Sequence, residues 1–170
     1  MAKHGSGRSA TDRTDMTNEE MISKILVDFA TAMYEWESKH APRIQKEFNE
    51  RSGLATARMN EAQSELRDVF RKFCLATEHP QREGSAGDPP DYHPDFFDIL
   101  EIAVKGKKAE ASVRQPRLGR MVPSKGGGIV TANTGKEFIT YHLRLTDNGW
   151  RLDDRRESHY DDGTIIKMGL

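Results

Sequence analysis

A segregated α+β fold is the architecture this sequence predicts, and three observations carry it. The first half repeats apolar residues at three- and four-residue spacing behind a helix-start signal, and the second half alternates them at two-residue spacing around tight-turn pairs. A stretch rich in turn formers separates the halves. Helices that come first and antiparallel strands that come after would each bury one face against the other. At 170 residues the chain holds one core of ordinary size and needs no second domain.

Residues 1–16 are basic and polar with no apolar run, and are expected to be disordered. Thr17-Asn18-Glu19-Glu20 has the capping-box form, in which the Thr17 hydroxyl and the Glu20 carboxylate each satisfy an orphan backbone donor, so a helix is expected to begin there. Ile22, Ile25, Leu26, Phe29, Met33 and Trp36 then form a continuous apolar stripe. Pro42 is expected to end or kink this helix. Ile44 and Phe48 continue the periodicity before Gly53, and Met59, Ala62, Leu66, Val69, Phe70 and Phe73 resume it, with Gly53 marking either a break between helices or a tolerated bend. The helices are expected to fill residues 17–76. Cys74, the only cysteine, follows this face, where a thiol packs as a small hydrophobe.

Glu83 to Pro90 is a turn-rich link into the sheet, which is expected to occupy residues 96–157. Phe96 to Val104 and Lys108 to Arg114 form strand candidates around Gly106-Lys107. That register sets Leu100, Ile102 and Val104 against Ala109, Ala111 and Val113, with Glu101, Glu110 and Arg114 on the other face. Residues 115–135 contain Pro116, Pro123 and the run Gly126 to Gly128, which break any periodicity; a mobile loop is expected, with a short strand at Ile129-Val130. The clearest strand signal is Gly135 to Glu157, where alternating apolar residues flank Asn148-Gly149, a pair that accepts the positive φ angles of a tight hairpin turn. Placing those two residues in the loop pairs Leu145 with Leu152 and Arg144 with Asp153. Thr164-Ile165-Ile166 would add an edge strand.

Alternation in this hairpin puts His142, Arg144, Arg151, Asp153 and Arg155 opposite Tyr141, Leu143, Trp150 and Leu152. The polar side is either a binding surface or a solvated face with cross-strand ion pairs, Arg144 with Asp153 above all, each worth about 0 to 1 kcal/mol when exposed. From the pattern alone the solvated face is the simpler reading. Asp88 to Asp95 brings carboxylates and His93 close to Tyr92, a grouping suited to acid–base work if burial tuned it, but its three prolines describe a stiff loop more simply. The six histidines are scattered and form no zinc pattern, Thr134-Gly135-Lys136 lacks the rest of a phosphate loop, and Cys74 has no local histidine partner. No cofactor or metal is expected.

A net charge of −1, with charged residues at 31% and hydrophobic residues at 35%, argues against a generic polyanion binder, so no nucleic-acid partner is expected. Neither a signal-like apolar region nor a run of about 18 apolar residues occurs, and with the single cysteine this places the chain in the cytoplasm with no membrane partner.

The helices ending in Arg71-Lys72-Phe73-Cys74, the link into Pro89-Pro90-Asp91-Tyr92, the strand hairpin, and the closing Tyr141-His142-Leu143 and Gly149 to Asp153 segments resemble immunity proteins of bacterial polymorphic toxin systems. The resemblance covers Thr17 to Glu157; the 115–135 loop and the tail after Glu157 depart from the compact pattern. It implies a nuclear transport factor two-like cone, with N-terminal helices packed on a curved, mainly antiparallel sheet. It also implies a non-catalytic role as antidote to a cognate toxin protein. Under that resemblance the contact candidates are His142, Arg144, Arg151, Asp153, Arg155, Arg114, Asp91 and Tyr92, together with the 115–135 loop. The same fold hosts small enzymes of the isomerase or dehydratase type that use an Asp-His pair, which would make Asp91 with His93, or His142 with Asp153, the alternative. An accessory or dimerisation domain, with a homodimer through the sheet, is the second alternative.

Overall fold

The computed structural model describes residues 16–75, 90–115, 121–123, 129–131 and 136–169, with 121–123, 129–131, 136, 154 and 155 described by their backbone alone. The segment expected to be disordered, apart from Met16, and the turn-rich link, apart from Pro90, lie outside the described residues.

Helix α1 spans Asn18–Glu50 and starts as its capping box requires. The Thr17 hydroxyl accepts from the Glu20 N–H at 3.2 Å, and the Glu20 carboxylate accepts from the Thr17 N–H at 2.7 Å. Ile22, Leu26, Phe29, Met33 and Trp36 are buried as the stripe requires. Pro42 neither ends this helix nor separates two helices: it lies inside α1 with its ring exposed. A proline there removes one intrahelical bond, and contacts to helix α2, Ala55–Phe73, hold the turns on both sides. Trp36 Nε1 donates to the Ala62 carbonyl at 2.7 Å, His40 Nε2 lies 2.8 Å from Glu65, and Arg43 reaches Glu61 at 3.3 Å. The break falls at Gly53, whose φ of +76° follows the left-handed Arg51 at +49°.

Lys39 and then His40 bond the Glu65 carboxylate and hold its pKa below the ordinary value of 4.5. A carboxylate whose folded pKa is depressed stabilises the fold above its unfolded pKa and loses that contribution as pH falls through the lower folded value. The urea midpoint should therefore fall below about pH 4.5, and Glu65→Gln should flatten that part of the profile. The effect is modest, because the Glu65 side chain is 40% exposed and solvent screens the pair.

A 3₁₀ turn at Pro94–Phe96 precedes β1, Asp98–Lys105, and β2, Lys108–Arg114. Ile102 faces Ala111 and Val104 faces Ala109 as expected, but a bulge between Ile99 and Glu101 sets Ile99 opposite Val113 and leaves Leu100 45% exposed. The extra residue removes Leu100 from the ladder. In the region expected to be a mobile loop, β3, Met121–Pro123, pairs antiparallel with β4, Ile129–Thr131, so the short strand expected at Ile129 belongs to a small ladder of its own. The remainder of that loop lies outside the described residues, apart from Gln115.

Strands β5, Lys136–Thr146, β6, Gly149–Tyr160, and β7, Ile165–Gly169, complete an antiparallel sheet in the order β1-β2-β5-β6-β7. The hairpin turn sits one residue earlier than expected. Asp147 and Asn148 form it, Gly149 opens β6 at φ +91°, and the pairs are Leu145 with Trp150 and Arg144 with Arg151. Thr146 fixes this choice, its hydroxyl donating to the Gly149 carbonyl at 2.8 Å and accepting from the Asn148 N–H at 3.1 Å. The partner shift is two residues, so no side chain changes face. Farther along, Leu143 faces Leu152 while Tyr141 faces Arg156, so Asp153 to Arg155 bulge out of register. Two extra residues on β6 change no face, so Arg156 keeps the core face of Leu152 and lies opposite the buried Tyr141. Strand β7 is the edge strand expected at Thr164-Ile165-Ile166, and it carries the sheet past the residue-157 limit.

The helices cover one face of this curved sheet. Ile22, Leu26 and Phe29 from α1, Leu66, Phe70 and Phe73 from α2, and Ala111, Val113, Ile139, Leu143 and Leu152 from the strands form one core cluster. Cys74 is buried in it, as a small hydrophobe would be, and bridges in parallel to Leu152.

Candidate functional site

On the uncovered face, side chains of β1, β2, β5 and β6 line an open cleft of about 280 Å³ that includes Lys105, Lys108, Glu110, His142, Arg144 and Asp153. Alternation alone brings them there, because their neighbours Ala109, Leu143 and Leu152 point into the core. Glu110 is the direct cross-strand partner of His142, and its carboxylate lies 3.6 Å from the imidazole Nδ1. Arg144 Nε donates to Asp153 Oδ2 at 3.0 Å, a diagonal contact across the β5–β6 pair. The guanidinium is 50% exposed and the carboxylate 8%.

Asp153 is thus not the outward charge that alternation alone predicts. It begins the β6 bulge that lies between the Leu143–Leu152 and Tyr141–Arg156 pairs, and its covered carboxylate orients Arg144. Arg151 borders the cleft and reaches back to the end of α2, donating through Nη1 to the carbonyls of Arg71 and Lys72. Such a cation satisfies orphan carbonyls at the negative end of the helix dipole. The side chain of Arg155 lies outside the described ones. Arg114 is exposed, opposite Asp98, at the other end of β2 from Lys108 and apart from the cleft.

Tyr92 is 5% exposed and is not a surface contact. Its ring meets Phe29 edge-on at 5.8 Å, and its hydroxyl accepts from Arg156 Nη1 at 3.1 Å. It belongs to an internal polar network that also explains the Pro-Pro-Asp-Tyr element. The buried Glu37 carboxylate accepts from the N–H groups of Asp91 at 2.8 Å and Tyr92 at 3.2 Å. Gln115 donates to the Asp91 carbonyl at 3.1 Å and accepts from the Tyr141 hydroxyl at 2.7 Å. Burial pushes the Tyr141 pKa well above that of an ordinary phenol, and the Tyr92 oxygen beside Arg156 raises the arginine's pKa, so one stays neutral and the other charged. This network fastens the loop after Pro90 to α1 and to the sheet. The sequence reading missed Glu37, Gln115 and Arg156, whose signal was the polar residue on an otherwise apolar face. It also missed Lys105 and Lys108, which alternation from Val104 and from Ala109 places in the cleft.

The Asp-His pairs are not arranged as an acid–base couple. His142 stands against Glu110 while Asp153 accepts from Arg144. In the other pair, Asp91 is bound through its backbone to Glu37 and Gln115, and His93 Nδ1 accepts from the Asp95 N–H at 3.3 Å. Among the described residues no three His, Cys, Asp or Glu side chains gather as a metal site requires, and no helix is long and apolar enough to cross a membrane.

Residues 21–118 match the family described as NTF2 fold immunity protein. The chain is also 28% identical over 158 residues to Immunity protein RhsIA of Dickeya dadantii (strain 3937), a similarity that covers 91% of this chain and all of that relative. No solved structure matches the chain.

Proposed function

The chain belongs to the NTF2 fold immunity proteins, and from that premise we propose that it neutralises a cognate toxin by binding it through the outer face of the sheet, without catalysis. The observation that carries the binding mode is the cleft itself. It is open, Lys105, Lys108, Glu110, His142, Arg144 and Asp153 line it together with Ala103, Ala109 and Leu143, and it presents oriented charge on a rigid sheet. Such a surface speeds encounter and rejects wrong partners. An enzyme of this fold would instead need an enclosed, largely apolar pocket that brings an acid and a base onto one substrate. The Arg144 and Asp153 charges are spent on each other, and the Glu110 carboxylate stands against the His142 ring.

A single cysteine and no disulfide framework suit the reducing cytoplasm, where an antidote meets a toxin made or delivered in the same cell. A homodimer through the sheet would use the same face and compete with the toxin. Co-expression tests the proposal. Cells producing the cognate toxin should survive when this chain is present, and the two proteins should elute together in gel filtration. Equal killing with and without the chain, and separate elution, would contradict it.

A further inference from the structure

Four cations stand in a single row across the outer face. Lys105 is directly opposite Lys108, Lys108 opposite Arg144, and Arg144 opposite Arg151. Neighbouring strands lie about 4.8 Å apart, so the row extends about 14 Å. Like charges directly opposite one another oppose strand pairing, and the fold compensates only half of the row. Arg144 has Asp153, and Arg151 has the carbonyls that end α2. Lys105 and Lys108 are exposed and, among the described residues, form no ion pair. Their aliphatic stems fill no gap in the core, so packing does not require them.

We propose that this row is the anchor for an acidic face of the toxin, with carboxylates of the partner taking the place of the counter-charges that the fold omits. The inference rests on the outer face being the toxin-binding surface and adds the chemistry of the partner. A protein face fits better than a nucleic acid. The neighbouring row holds Glu110 opposite His142, with Asp153 beside Arg144, so a continuous line of phosphates would meet carboxylates one step from the cations. A compact group of acidic side chains spanning the row, with basic or hydrogen-bonding residues next to it, matches both rows at once.

The test compares the full chain with its Lys105→Ala/Lys108→Ala variant in three measurements. The wild type should bind poly-L-glutamate with an affinity that falls as salt rises, and the variant should lose that binding. Affinity for the purified cognate toxin should drop about tenfold in the variant, mostly through slower association. The variant's urea midpoint should equal or exceed that of the wild type, because two repulsive pairs are gone. Unchanged toxin affinity in the variant overturns the inference and leaves the antidote reading standing. So does a wild type that prefers a single-stranded oligonucleotide to poly-L-glutamate. A wild type that fails to bind or neutralise the toxin at all defeats the antidote reading, and the poly-L-glutamate comparison then decides whether the row is an anchor for carboxylates.

Discussion

Glu37→Ala is expected to cost about 3 kcal/mol of folding stability, a large effect for a single polar substitution. The carboxylate is 3% exposed and accepts from two backbone N–H groups, those of Asp91 and Tyr92. Hydrogen bonds to a charged group contribute about 1.5 to 3 kcal/mol each, and the Tyr92 donor left behind is buried. The consequence reaches beyond α1, because Tyr92 carries the contact to Arg156 and the Asp91 carbonyl holds Gln115, which in turn takes the Tyr141 hydroxyl. Urea unfolding followed by circular dichroism measures the loss. A drop below about 1 kcal/mol would show that the Pro-Pro-Asp-Tyr loop is fastened by something other than this network.

Arg144→Gln should weaken binding to the cognate toxin by about tenfold to a hundredfold while leaving the far-ultraviolet spectrum and cooperative unfolding intact. The substitution removes the positive charge at the centre of the outer face, yet its amide N–H still reaches toward Asp153, so the covered carboxylate keeps a neutral donor. Charge reversal is the poorer experiment. Arg144→Glu would set a second carboxylate against one that is 8% exposed, and the resulting repulsion would disturb the β5–β6 pair itself. Surface plasmon resonance with the purified toxin separates the effects, since loss of a steering charge slows association and loss of a fitted contact speeds dissociation. Affinity within twofold of the wild type would remove the cleft from the binding surface.

The elements that were legible in the sequence are those whose signals are local. Thr17 to Glu20 spelled a helix start because both halves of a capping box lie within four residues, and Gly53 gave the break between helices because a positive φ is needed there. The faces of β2, β5 and β6 followed from alternation. What failed depended on contacts those signals do not weigh, most of them distant in sequence. Pro42 did not end α1, because Trp36, His40 and Arg43 are held by α2 on both sides of it. The Asn148-Gly149 turn moved by one residue because the Thr146 hydroxyl supplies its own turn hydrogen bonds, a competitor the Asn-Gly pattern does not weigh. The bulge at Asp153 to Arg155 was not legible either, since only pairing along the whole of β5 and β6 shows that the two strands fall out of step. That bulge decides the candidate site. It covers Asp153, so the charges on the outer face are fewer and better oriented than simple alternation implies.

The central claim is neutralisation by occupancy, and a titration of purified cognate toxin with this chain, read as residual toxin activity, tests it most directly. Binding predicts a linear loss of activity that breaks at one equivalent and does not deepen with incubation time. Progressive loss of activity at well below one equivalent would mean that the chain turns over on the toxin or its product, and would contradict the account.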